Sequence, residues 1–317
     1  MDPQVQQKLM VWGALIPGAI ALVVLALAWW LVSRRAARSD ADGEQADGSE
    51  TRRDGPRWLL PVLLAGGFLG ASAAQFASIP LWPGDNSYRL PHALGLVAVL
   101  GVVEGLVRLP TLAAFALRAV CYAGVFWMLS WGYRGNETIF ASDWVYGGWW
   151  ALGALGAALL ATAHEESSER TPAWVDALVW MLVLGGASPV LYFNGYASGP
   201  IALTGILAVL GPMAVAGAIA PDARLARGGV TVLVGAVLIM ALGAAVHSAL
   251  RSVPAGLMLV MAAGVGVLAP RCGKRLPVLI NRAVIAALLL GGAGLLAHHE
   301  ARALEAPDED DPYADYE

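Results

Sequence analysis

Gly228-Gly-Val-Thr-Val-Leu-Val-Gly-Ala-Val-Leu-Ile-Met-Ala-Leu-Gly-Ala-Ala-Val-His-Ser248 contains no acidic residue, no lysine and no arginine. A helix needs roughly 20 apolar residues to cross a hydrocarbon core of about 30 Å, and this run supplies them without a break. Further runs of the same kind lie at 10–33, 58–79, 91–109, 111–131, 143–163, 172–193, 200–220, 254–270 and 277–298. Strands of a membrane barrel would be half as long and would alternate in polarity, which these runs do not. The expected fold is all-α: a polytopic transmembrane helical bundle of about ten spans.

Composition agrees. Of 317 residues, 58% are hydrophobic and 14% charged, and mean hydropathy is +0.62. A soluble domain carries about a quarter charged residues. Fourteen of the 24 acidic residues fall in two segments, six between Asp40 and Asp54 and eight between Glu300 and Glu317. These values exclude a soluble enzyme, a nucleic-acid binder with a basic face and a disulfide-stapled secreted domain. Cys121 and Cys272 belong to separate apolar regions and make neither a framework disulfide nor a metal motif. Arginine outnumbers lysine 18 to 2 in a chain rich in Ala, Gly, Val and Leu, the mark of a GC-rich, bacterial coding sequence.

The first apolar run is longer than a signal-peptide core and is followed by Arg34, Arg35 and Arg38 rather than by a cleavage site, so it reads as a retained anchor. Orientation follows from the positive-inside rule. One set of alternate loops holds 13 Lys and Arg and the other holds five, with Arg118 and Arg282 inside spans. This split places both termini outside, as an even number of spans requires. The organisation expected is an external N-terminus and first span (1–33), a disordered cytoplasmic linker (34–57), a nine-helix body (58–298) and an acidic, disordered external tail (299–317). The linker and tail have no apolar face to bury.

Gly66, Gly70 and Ala74, Gly153 with Ala157, and Gly235 with Gly243 recur at helical spacing and predict close helix packing. Pro189, after Ser188, and Pro212 interrupt the sixth and seventh spans and free the carbonyls of Gly185 and Ala208. Interrupted helices can build transporter sites, although most such prolines only bend the helix.

Ionisable residues inside spans need a partner or a purpose. Glu104, Arg118, Asp176 and Arg282 are the four, and all fall in the cytoplasmic half. Glu104 and Arg118 lie on consecutive helices joined by Leu109-Pro110-Thr111 and are placed to pair. Asp176 can pair with Arg282 or join a four-residue cluster. The alternatives are structural pairing and a polar pocket that binds an anion or passes protons. A cavity is expected between the sixth and seventh spans and the helices of Glu104 and Arg118, if those helices are neighbours.

His92, His247 and His298 stand at the external ends of three spans, at one depth that a metal or haem site would need, but none forms an i, i+4 pair. His164 alone is placed on the cytoplasmic side. No cofactor is expected. The external loops are rich in aromatics, among them Trp131, Trp144, Trp149 and Trp150. A Trp/Tyr belt at the headgroups accounts for most of them. Their density also suits docking of a membrane-protein partner, while the bilayer is the one partner every reading shares and nucleic acid is excluded.

Glu165-Glu166-Ser-Ser-Glu-Arg170 resembles, over six residues, the Glu-Glu-x-x-x-Arg signature of membrane proteases that process prenylated and bacteriocin-type proteins. That resemblance would imply a helical motif completed by histidines at the same depth. The sequence places these residues in a hydrophilic loop ending Arg170-Thr-Pro, with the later histidines on the opposite face, so the chain is not assigned to the family. Ten spans are also similar to the count in exporters built from two inverted five-helix halves, which begin in the cytoplasm; no echo between halves is found here.

Three readings follow. The first is a non-catalytic permease-like bundle for a small solute, the second a subunit or scaffold of a larger membrane complex, and the third an intramembrane enzyme using the external histidines. Transport predicts a cavity reaching Glu104 or Asp176. A scaffold predicts a filled interior and an exposed aromatic patch.

Overall fold

The computed structural model describes residues 7–8, 10–41, 58–76, 89–136, 140, 142–169, 171–193, 198–219, 225, 227–247, 264, 280, 282–289, 291–292, 294–296 and 299. A π-helical turn, Val11–Leu15, leads into α1 (Ile16–Ala41). It is followed by α2 (Leu59–Gln75), α3 (Leu90–Leu106), α4 (Thr111–Ser130), α5 (Asp143–Ser168), α6 (Ala173–Phe193), α7 (Ser198–Ile219) and α8 (Arg227–His247). A shorter apolar helix, Arg282–Leu296, comes after them. The described residues contain no strand. Among the described residues, six helical stretches are long and apolar enough to cross a membrane: Val11–Ala28, Thr111–Tyr133, Asp143–Ser168, Ala173–Tyr192, Ser198–Ile219 and Gly228–Val246. Such a set fits a helical membrane bundle. The run at 254–270 lies outside the described residues except for Gly264, and the tail at 299–317 except for His299.

Local chemistry sets several helix ends. Ser142 caps α5 by accepting a hydrogen bond from the Val145 amide at 3.3 Å, with Asp143 in the first turn where the helix dipole favours negative charge. Pro91 occupies the first turn of α3, where a missing N–H is harmless. Pro110 precedes α4, and its carbonyl accepts from the Ala114 amide at 2.9 Å.

The axis of the bundle is α8, buried over 94% of its apolar window by α2, α3, α4 and α5. Only glycine permits two of the crossings. A Cβ on Gly101 would stand 2.7 Å from the Gly228 carbonyl oxygen, and one on Gly228 would overlap the Gly101 carbonyl, so α3 and α8 meet backbone to backbone. Gly67 and Gly205 do the same for α2 and α7. The small face expected at Gly66, Gly70 and Ala74 is therefore displaced by one residue at its first position. Gly66 faces open space, whereas a Cβ on Gly70 would stand 3.3 Å from the Trp12 carbonyl oxygen. A Cβ on Gly153 would stand 3.4 Å from the Phe126 ring, and one on Gly235 would run into Val97.

The first helix runs on to Ala41, through Arg34, Arg35 and Arg38, past the boundary expected at 33. It lies against α2 and α7. A Cβ on Gly13 would touch Ala71 and Thr204 at 3.5 Å, and one on Gly18 would stand 3.2 Å from the carbonyl oxygen of Ala208. That carbonyl is the one Pro212 frees from its helical bond. A Cα hydrogen of Gly18 faces it, the weak contact that recurs between packed helices.

Candidate functional site

The helix ends that carry buried charge lie together. The C-terminal ends of α3 and α5 and the N-terminal ends of α4, α6 and α8 share one end of the bundle, and two polar clusters occupy it. The first is centred on Arg118 of α4, a side chain with no solvent exposure. Its Nε donates to Glu104 Oε1 at 2.7 Å and its Nη2 to Glu104 Oε2 at 3.0 Å, a fork that ties α4 to α3. Nη2 also donates to Glu165 Oε2 at 2.6 Å and Nη1 to Thr162 Oγ1 at 3.0 Å, both on α5. From α8, Thr231 Oγ1 accepts from Nε at 3.2 Å and donates to Glu104 Oε2 at 2.5 Å. Tyr122, one turn along α4 from Arg118, donates to the Thr231 carbonyl at 2.9 Å. Four helices thus converge on one guanidinium.

The arrangement is unusual in its charge. Two carboxylates, Glu104 of α3 and Glu165 of α5, meet the one guanidinium of Arg118. Glu104 is held by two bonds from Arg118 and one from Thr231. Glu165 stands at the edge, its side chain 10% exposed against 2% for Glu104.

In the second cluster Arg282 Nη1 donates to Asp176 Oδ1 at 3.0 Å and Nη2 donates to Ser167 Oγ. The charges make two separate groups rather than one cluster of four, and α5 stands between them. Thr162 and Glu165 on one face of its last turns meet Arg118; Ser167 meets Arg282, and His164 lies edge-on to Trp180 with ring centroids 4.9 Å apart.

The structure overturns the placement of the Glu165 segment in a solvated loop. Helix α5 continues to Ser168, with His164, Glu165 and Ser168 buried. Pairing with Arg118 removes the penalty that made a helical Glu165 implausible. A signal was available: Ala158, Thr162 and Glu165 follow the spacing of one helical face, and Thr162 closes that face by donating to the Ala158 carbonyl at 2.8 Å. Arg170 of the same motif lies outside the described residues, and Glu166 is exposed. Thr231 was missed because a lone threonine in an apolar run has no pattern of its own.

The interruptions lie elsewhere. Pro189 and Pro212 are inside α6 and α7, and Ser188 donates to the Leu184 carbonyl at 3.1 Å. The partners of Glu104 and Arg118 come from α5 and α8, so the cavity expected between those charges and α6 with α7 is not where the charges sit. All four charged side chains are closed off from solvent.

At the other end, His92 is in the first turn of α3 and His247 is the last residue of α8; the His247 side chain and His298 lie outside the described residues. Among the described residues no three His, Cys, Asp or Glu side chains converge as a metal would require. The aromatics are exposed there: Trp144 by 92%, with Trp131, Trp149 and Trp150 partly so. Trp150 donates to the Ala123 carbonyl at 2.8 Å, and Arg134 lies over the Trp131 ring at 5.4 Å. Hydrogen bonding to Asp143 holds the Arg134 guanidinium above its ordinary pKa.

No family model matches the chain, and no curated protein and no solved structure matches it either. The fold itself, an all-helical bundle with six helices of membrane-crossing length, is compatible with an integral membrane protein.

Proposed function

We propose that this chain is a multi-pass protein of the bacterial cytoplasmic membrane that moves a small solute, with Glu165 as its proton-carrying group. The reading rests on one observation, the two buried carboxylates on the single guanidinium of Arg118. Buried carboxylates inside membranes characteristically line ion and proton paths. Glu165 is the carboxylate of the two nearer solvent, its side chain 10% exposed against 2% for Glu104, and so the one a proton can reach. Losing or gaining that proton changes the attraction between α5 and α4, which gives the helix between the two clusters a reason to move.

The topology belonging to this reading has about ten spans, with 254–270 among them, both termini external and the charged clusters toward the cytoplasm. Glu104 and Asp176 are closed off from solvent, which is the interior expected of the scaffold reading below.

Infrared difference spectroscopy on the purified protein tests the assignment. The wild type should show the carbonyl stretch of a protonated carboxyl that fades as pH rises, and Glu165→Gln should lack it while eluting as a folded species. In liposomes carrying a pH-sensitive dye, a panel of small solutes should include one that drives proton movement through the wild type and none that does so through Glu165→Gln. Absence of any protonated carboxyl in the wild type would refute the proton role.

A second reading has its own support. The exposed Trp131, Trp144, Trp149 and Trp150 suit a scaffold or subunit that docks a membrane partner, and recovery of a stoichiometric partner lost in a Trp144→Ala, Trp149→Ala variant would favour it.

A further inference from the structure

Beyond the Arg118 cluster, the opposite side of α5 gathers polar atoms that find no partner among the described residues. Both ring nitrogens of His164, Ser168 Oγ, Trp180 Nε1 and Arg282 Nε are buried and lack a hydrogen-bond partner there. The four residues are between 1 and 3% exposed. Native structures rarely leave such groups unmatched, and here they occur together. His164 and Ser168 are four residues apart and share a face of α5. Trp180 and Asp176 bear the same relation on α6. The His164 ring contacts Trp180 edge-on at 4.9 Å, and Arg282 reaches both Asp176 of α6 and Ser167 of α5.

We propose that His164, Ser168, Trp180 and Arg282 form a binding site for a small monocarboxylate, taken up together with one proton. Trp180 Nε1 and Arg282 Nε can only donate, Ser168 can donate, and His164 donates from one or both nitrogens. Two carboxylate oxygens offer about four acceptor positions, which matches that set. The charges decide among anions. Arg282 is paired with Asp176 of α6, so the two neutralise one another, while Glu165, the neighbour of His164 on α5, is turned to Arg118. A carboxylate therefore meets a locally neutral set of donors and needs one positive charge, which His164 acquires by binding a proton at the nitrogen that would otherwise accept. A dianion would remain uncompensated. The proposal goes beyond the proton role of Glu165 and shares no residue with it.

Isothermal titration calorimetry on the full-length protein in detergent provides the test, with sodium acetate as the probe and acetamide and sulfate as comparisons. Runs in two buffers of different ionisation heat report protons taken up. Acetate should bind saturably with one proton per acetate, and acetamide and sulfate should not. Trp180→Phe and Ser168→Ala, chosen because they preserve packing, should each weaken acetate by about tenfold or more. Arg134→Ala, on an exposed pair outside the site, should bind as the wild type does. Thermal melting of each variant establishes that it is folded. Absence of saturable acetate binding to the wild type would overturn the assignment. So would affinities that stay within about twofold in both folded variants; ordered waters would then be the partners of these atoms.

Discussion

Replacing Arg118 with methionine removes the one cation on which four helices converge and leaves its apolar stem in place. Five hydrogen bonds leave with the guanidinium, two to Glu104 and one each to Glu165, Thr162 and Thr231. Inside membrane proteins such bonds contribute on average about 0.6 kcal/mol apiece, which sums to about 3 kcal/mol. Stranding a buried charge adds to this, and breaking buried ion pairs elsewhere costs about 3–5 kcal/mol. The expected loss for Arg118→Met is within that range. Glu104→Gln should come next, since Glu104 accepts two bonds from Arg118 and one from Thr231, and Glu165→Gln should also destabilise, since Glu165 accepts from Arg118 Nη2. The triple variant Glu104→Gln, Arg118→Met, Glu165→Gln carries no charge to strand and should recover most of the loss. Equilibrium unfolding in mixed micelles of rising sodium dodecyl sulfate, followed by tryptophan fluorescence, gives these stabilities. If the single effects add to the triple within about 0.5 kcal/mol, the three residues are not coupled and the charge argument fails.

Reporter fusions after Arg57 should be cytoplasmic and fusions at Glu317 external; a cytoplasmic tail would contradict the 13 to 5 distribution of basic residues. Gly67→Ala should destabilise by about 1–3 kcal/mol because its Cβ would run into the Gly205 carbonyl, whereas Gly66→Ala, facing open space, should be neutral or stabilising by up to about 1 kcal/mol. Equal effects in the same unfolding assay would refute the register of the α2–α7 crossing. Gly18→Leu should push α1 off α7, read as faster labelling of a cysteine at position 208 by a thiol reagent than in the Gly18 background; unchanged labelling would mean that α1 does not cover that carbonyl.

What the sequence made legible and what it hid divide along a physical line. Apolar length marks a helix by itself, so the runs at 111–131, 200–220 and 228–248 correspond closely to α4, α7 and α8. Polarity does not mark a loop by itself, because the cost of burying a charge depends on what it meets. Glu165 read alone belongs in water; read against Arg118, distant in sequence and adjacent in space, it belongs in the helix. The same dependence separated Arg34 to Ala41 from α1 and concealed Thr231. Glycine shows the converse. Gly66 and Gly67 are chemically identical and consecutive, yet only one faces α7, and helical spacing cannot select between them without knowledge of the partner.

The two clusters also explain one another. A carboxylate next to an arginine in a helix pair is accounted for by its partner, and on that ground Glu104 with Arg118 would be structural and nothing more. The second carboxylate changes the argument, because it brings a further acidic group from a different helix onto the same guanidinium, which a two-residue bridge does not need. Glu165 is held there by the same helical turns whose other face presents the unmatched donors of His164 and Ser168. On the proposed reading, a change at Glu165 that shifts α5 is felt at His164 and Trp180, and a ligand that orders those donors is felt at Arg118. Such reciprocity is what coupling of two sites requires.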